Sequence, residues 1–149
     1  MYIGLRLLHI LCMTAWFGTM LFVSGDIKRT FAAGPAHLPL LRERVGRVNR
    51  VAGIAGTLTV LSGFGLIFAV GGFKAVPPAI HTGMTFGIIA WAIGAFGFGG
   101  TWKGIEAKLD AGADPASLGA QVKRLGMFTG LFHSAWLIAL LTMVLRNGV

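Results

Sequence analysis

Charged residues vanish from this chain in four long stretches. No Asp, Glu, Lys or Arg occurs in residues 7–25, 51–73, 75–102 or 125–145. A helix crosses a hydrocarbon core of about 30 Å with roughly 20 residues, and each stretch is long enough to do so. Nothing alternates with the period of a barrel strand, and backbone inside lipid must satisfy its own hydrogen bonds, so the stretches read as helices. The pattern predicts an all-α polytopic membrane protein, one domain of four transmembrane helices over approximately 3–25, 51–72, 79–101 and 125–146. The first stretch reads as a retained helix and not a cleaved signal. Its apolar run is too long, and Asp26, Lys28 and Arg29 intervene before the small residues Ala32-Ala33-Gly34.

The segments between the spans carry their own signals. Pro39 can open a helix that runs through Arg42, Arg44, Arg47 and Arg50 into the second span. Asp114-Pro115 reads as cap and first residue of a helix entering the fourth span, and Gly34-Pro35 and Ala111-Gly112 mark turns. The connection from Gly71 to Pro78 is short, which favours an antiparallel bundle of neighbouring helices.

Composition removes the alternatives. The chain is 55% hydrophobic and 12% charged, with a mean hydropathy of +0.77. A soluble domain or a disordered chain would need far more polar surface. The net charge of +8 would point to nucleic acid in a soluble protein, but here it follows topology. Ten of the 13 basic residues lie in the first and third connections, together with all five acids. Arg6, Lys74 and Arg146 remain on the other side. The positive-inside rule then puts both long connections in the cytoplasm and both termini outside, as in a multi-pass protein of a bacterial inner membrane. The Arg cluster fits anionic lipid headgroups, and no nucleic-acid partner is expected. Tyr2 and Trp102 fit interfacial anchoring, and His37, in Gly34-Pro35-Ala36-His37, reads as solvated.

The 23 glycines are about twice average usage. Gly83, Gly87, Ala90, Gly94 and Gly97 form a small-residue stripe on the third span; Ala52, Gly56, Thr59 and Gly63 repeat the pattern on the second. Such stripes let helices approach closely in lipid, or leave room for a flat cofactor.

Histidine is more informative, because an ionisable residue inside a membrane is costly and marks a site by default. His9, His81 and His133 stand on three different spans that contain no carboxylate. That is a pattern for imidazole ligation of a haem iron or another transition metal. Counted from the outer helix ends, His9 lies about 10 Å deep, His81 about 3 Å and His133 about 20 Å. His9 with His81 is the better pair of metal ligands, with His133 the alternative second partner. Tyr2, Arg6, His9, Met13, Trp16 and Met20 recur at spacings of four and three along one face of the first span. That face offers a cation for a propionate, an imidazole, two thioethers and an indole. Lys74 and Arg146 could serve the same carboxylate. His133 and Trp136 share a face in the fourth span. There is no C-x-x-C-H haem attachment, nucleotide-binding loop or nucleophile elbow, so a haem would be held without a covalent link.

Leu7-Leu8-His9-Ile10 followed by Ala15-Trp16-Phe17-Gly18, with the Arg-rich entry Arg42-Glu43-Arg44-Val45-Gly46-Arg47, resembles the small bacterial membrane proteins of the HemJ and CopD-like group. The resemblance covers about the first 65 residues; beyond them only hydropathy matches. It implies a four-helix fold binding haem b with His9 as the ligand-bearing position. The HemJ group carries Leu-Pro-Arg-Leu-Phe after its first helix, where this chain has Phe22-Val23-Ser24-Gly25-Asp26. That departure counts against protoporphyrinogen oxidation and leaves haem binding in place.

The expected function is a b-type haem protein in electron transfer or haem-linked redox chemistry, a membrane oxidoreductase exchanging electrons with a quinone or a redox partner protein. His9, His81, His133, Arg6, Met13 and Trp16 are its expected cofactor-binding residues. Two alternatives differ in class. One is a cofactor-free accessory subunit, docked by its glycine faces in a homo-oligomer or a larger membrane complex. The other is copper handling through His9, Met13, Met20 and Cys12.

Overall fold

The computed structural model describes residues 2–145, so Arg146 lies outside the described residues. Among those, the chain is all helix and turn, with no strand. Four helical rods of 32, 35, 33 and 30 residues are long and apolar enough to cross a membrane.

The first rod is α1 (Tyr2–Leu21) followed by α2 (Val23–Ala33). They meet at the single irregular residue Phe22, where the ladder continues because Asp26 N–H still donates to the Phe22 carbonyl at 3.0 Å. Gly34, at φ 102°, ends the rod in a conformation that costs a Cβ-bearing residue dearly. A short turn, Pro35–His37, leads to α3 (Leu38–Ala69). Pro39 sits in its first turn, where a missing N–H costs nothing. The third rod is α4 (Pro78–Ala92), a π-helical turn (Ile93–Phe98) and α5 (Gly99–Asp110). Asp114 then accepts a hydrogen bond from Ala116 N–H at 3.0 Å, and Pro115–Leu118 leads into α6 (Gly119–Val144). The helix starts at Pro39 and Asp114-Pro115 and the turns at Gly34 and Gly112 therefore stand where the sequence signals them.

Neighbouring rods run antiparallel. Leu5, His9 and Trp16 of α1 meet Gly65, Gly63 and Gly56 of α3 in reversed order, and Gly83 and Gly97 meet Met143 and Phe128 of α6 likewise. α1 lies chiefly along α3, and α4 along α6, giving two close helix pairs. The stripes explain this closeness. A Cβ on Gly56 would come within 2.9 Å of the Trp16 ring, one on Gly83 within 2.6 Å of Met143 Cγ, and one on Gly97 within 2.7 Å of the Phe128 ring. Backbones can approach so far only where side chains are missing.

The two ends of the molecule differ. At the basic end the rods are tied together. Arg44 forks onto Asp26, with Nε and Nη2 both at 3.0 Å, which joins α3 to α2. Arg42 reaches Asp110 at 2.8 Å and so joins α3 to α5. Beneath these pairs lies the densest core, with Ile27, Leu41, Ile105 and Leu125 all fully enclosed. Trp102, expected as an interfacial anchor, belongs to this core at 1% exposure. The helix runs on past it to Asp110, so the first charged residue, Lys103, does not mark a helix end. The opposite end is packed more loosely, and there the two helix pairs part.

Candidate functional site

Between the pairs, in the half of the molecule away from the Arg cluster, is a cavity of about 550 Å³ walled by α1, α3, α4 and α6. Its size falls within the roughly 300–1,000 Å³ of typical ligand pockets, and its lining is mainly apolar. The face of α1 singled out by spacing supplies one wall, with Tyr2, Arg6, His9, Met13 and Trp16 all lining it. Met20, the sixth residue of that series, is buried in the core at 2% exposure and lines a separate cavity of about 200 Å³. Trp16 borders both cavities. Its ring lies on the Gly56 backbone and edge-on to Phe132, with centroids 5.1 Å apart. It thus forms a rigid partition at the inner limit of the larger cavity.

His9 is held from behind. Its Nδ1 lies 3.0 Å from the Thr59 carbonyl and 3.0 Å from Ser62 Oγ. A carbonyl can only accept, and the Ser62 hydroxyl donates to the Leu58 carbonyl at 2.6 Å. Nδ1 therefore carries the ring proton and Nε2 the lone pair. No described residue bonds Nε2. A carbonyl on the N–H side is the arrangement that fixes tautomer and ring angle in metal-binding histidines. Gly63 makes it possible: a Cβ there would lie 3.2 Å from His9 Cε1.

The other histidines stand apart from this wall. His81 Nε2 lies 3.1 Å from the Phe73 carbonyl, and its ring stacks on Phe73 at 6.1 Å and 21°. His133 sits edge-on to Phe17 and Phe132, at 5.2 and 5.3 Å, with Nε2 buried and without a partner among the described residues. Neither lines the cavity. His37 is exposed, as its loop position predicts. Of the four side chains considered for copper, His9 and Met13 reach the cavity while Met20 and Cys12 do not. Lys74 is exposed in the loop Phe73–Ala75 and does not line the cavity. Among the described residues, Arg6 is thus the cation at its wall.

The surroundings of His133 lead to an expected result. Replacing it by Phe removes a buried polar atom that has no partner, a change that is neutral or stabilising when shape is kept. His133→Phe should therefore keep or raise the unfolding temperature in detergent and leave any bound chromophore in place. Loss of the chromophore would assign His133 a ligand role.

Ser62, behind His9, and the cavity residues Met84 and Met143 carry no distinguishing signal in the sequence. Ser62 and the Thr59 carbonyl support His9 from α3, at i and i+3, a spacing that any helix face shares. Met84 and Met143 add two thioethers to that of Met13. Gly87 also lines the cavity, and a Cβ there would meet nothing within 4 Å. The stripe of the third rod therefore divides, with Gly83 and Gly97 serving packing and Gly87 leaving space. Among the described residues no three His, Cys, Asp or Glu side chains gather as a metal cage. An iron inside a porphyrin needs no such cage, because the ring supplies four ligands and the protein one or two. No family model, curated protein or solved structure matches the chain.

Proposed function

We propose that the chain is a multi-pass protein of the bacterial inner membrane that binds haem b without a covalent link and passes electrons to or from a quinone or a redox partner protein. The observation that carries this reading is His9, its Nδ1–H fixed by the Thr59 carbonyl and its Nε2 lone pair free, on the wall of a cavity of about 550 Å³. The residues around it suit the group. Gly87 leaves room for a flat ring and Gly63 for the imidazole of His9, Arg6 can pair with a propionate by a charge-assisted hydrogen bond, and Met13 and Trp16 give apolar contact. The similarity of Leu8-His9 and Trp16-Phe17-Gly18 to the HemJ and CopD-like group points the same way.

By the positive-inside rule the Arg-rich end faces the cytoplasm, so the cavity and both termini lie toward the outer surface. When bound, the haem would supply one-electron redox chemistry. The chain's part is to present an imidazole of fixed tautomer, to exclude water with apolar walls, and to close the inner end with Trp16. The basic surface suits anionic lipid headgroups.

A second reading, copper handling, is favoured by one observation: three thioethers, from Met13, Met84 and Met143, share the cavity with His9. Thioethers are soft donors that select Cu(I). Metal analysis of the purified protein separates the two. One iron per chain, extractable as haem b and without copper, is the expected result. Copper without iron would replace this reading by the second, and a colourless, metal-free chain co-purifying with stoichiometric partners would replace both by an accessory subunit.

A further inference from the structure

The haem reading leaves one coordination position without a residue, and the walls of the cavity narrow the choice. His9 comes from the α1–α3 pair. Axial ligands of a porphyrin iron lie on opposite faces of the ring, so the second protein ligand has to come from the α4–α6 pair. Tyr2, Cys12, Met13 and Met20 share α1 with His9, which leaves His81, His133, Met84 and Met143 to weigh. His81 and His133 do not line the cavity. Met143 lies along Gly83, so closely that a Cβ there would be 2.6 Å from its Cγ and 3.0 Å from its Cε. Met84 remains.

Its level fits as well. His9 is seven residues in from the start of α1 and Met84 six in from the start of α4, about 10 Å and about 9 Å of helix rise. His81, three residues in, is about 5 Å deep on the same count. One turn further along α4, Gly87 leaves open space beside Met84. We infer that Met84 is the second axial ligand and that the site is a His–Met haem. The inference rests on the haem reading and goes beyond it by naming the ligand set. Its chemical consequence is a higher reduction potential than a bis-imidazole site in the same cavity would have, because a thioether favours the ferrous ion.

The test uses the purified holoprotein, Met84→Leu and Met84→His, read by the absorption and electron paramagnetic resonance spectra of the ferric form and by redox titration. The wild type should show the charge-transfer band of thioether to ferric iron. Met84→Leu should lose that band and turn high-spin while the Soret band persists. Met84→His should remain low-spin with a lowered midpoint potential. If Met84→Leu sheds its haem, Met84→His decides, since an imidazole restores a second ligand at the same place. A Soret band whose spin state and potential neither variant moves overturns the assignment of Met84 and leaves the haem reading standing. A wild type without a Soret band overturns both.

Discussion

His9→Ala should lower the haem content of the purified protein at least about tenfold, equivalent to about 1.4 kcal/mol or more of binding free energy, while circular dichroism remains that of the wild-type helix bundle. The fold survives because little else depends on the imidazole. Ser62 keeps its own hydrogen bond to the Leu58 carbonyl at 2.6 Å, so its hydroxyl proton is not orphaned. The lost contact to Thr59 is one hydrogen bond, worth about 1 kcal/mol net. Ser62→Ala should fall between wild type and His9→Ala, since supporting partners of metal-bound histidines typically contribute roughly 10–100-fold in affinity. Haem content per chain, measured after extraction, checks both. An unchanged content in His9→Ala would remove His9 from the site.

Gly87→Phe should abolish haem binding without unfolding the protein. The position is helical, and glycine in a helix interior is less favourable than alanine by about 1 kcal/mol. A Cβ at Gly87 meets no atom within 4 Å, so the new ring has space, and that space is the cavity. Gly83→Phe, one turn away on the same stripe, should do the opposite. Its Cβ would strike Met143 Cγ at 2.6 Å, and overpacking of this kind typically costs about 1–3 kcal/mol, or more for so large a side chain. The pair is read by thermal unfolding in detergent together with haem content. A Gly87→Phe protein that still binds haem would place the cofactor elsewhere.

These two glycines show where the sequence was legible. Both belong to one stripe with spacings of four and three, and their periodicity is the same. Only the neighbouring helix decides that Gly83 is a seat for Met143 and Gly87 an opening. The four rods were legible because the absence of charge over about 20 residues has few physical explanations. Their extent was only partly so: Pro39 signals the early start of α3, but Lys28, Arg29, Lys103 and Lys108 continue helices whose apolar stretch has already ended. Hydropathy also gives no sign of the π-helical turn at Ile93–Phe98, because a change in hydrogen-bond register leaves composition untouched.

The site was half legible. The series from Tyr2 to Trp16 lies on the cavity wall because its spacing holds one helix face, and Met20 leaves it where α1 enters the core. Residue type and depth alone favour His81 over His133 as the partner of His9. Whether a side chain faces the cavity depends on helix rotation, which a residue count does not contain. His81 turns to the Phe73 carbonyl, whereas Met84, three residues on, lines the cavity. The outlying cations divide similarly, since Arg6 lines the cavity and Lys74 does not.

The central claim is that a haem sits in the cavity beside His9, and the most direct measurement is the absorption spectrum of the purified protein, first oxidised and then reduced. The expected result is a Soret band that shifts on reduction, with the sharpened visible bands of a six-coordinate b-type haem. A protein with no Soret band in either state, after expression with adequate haem supply, would contradict it.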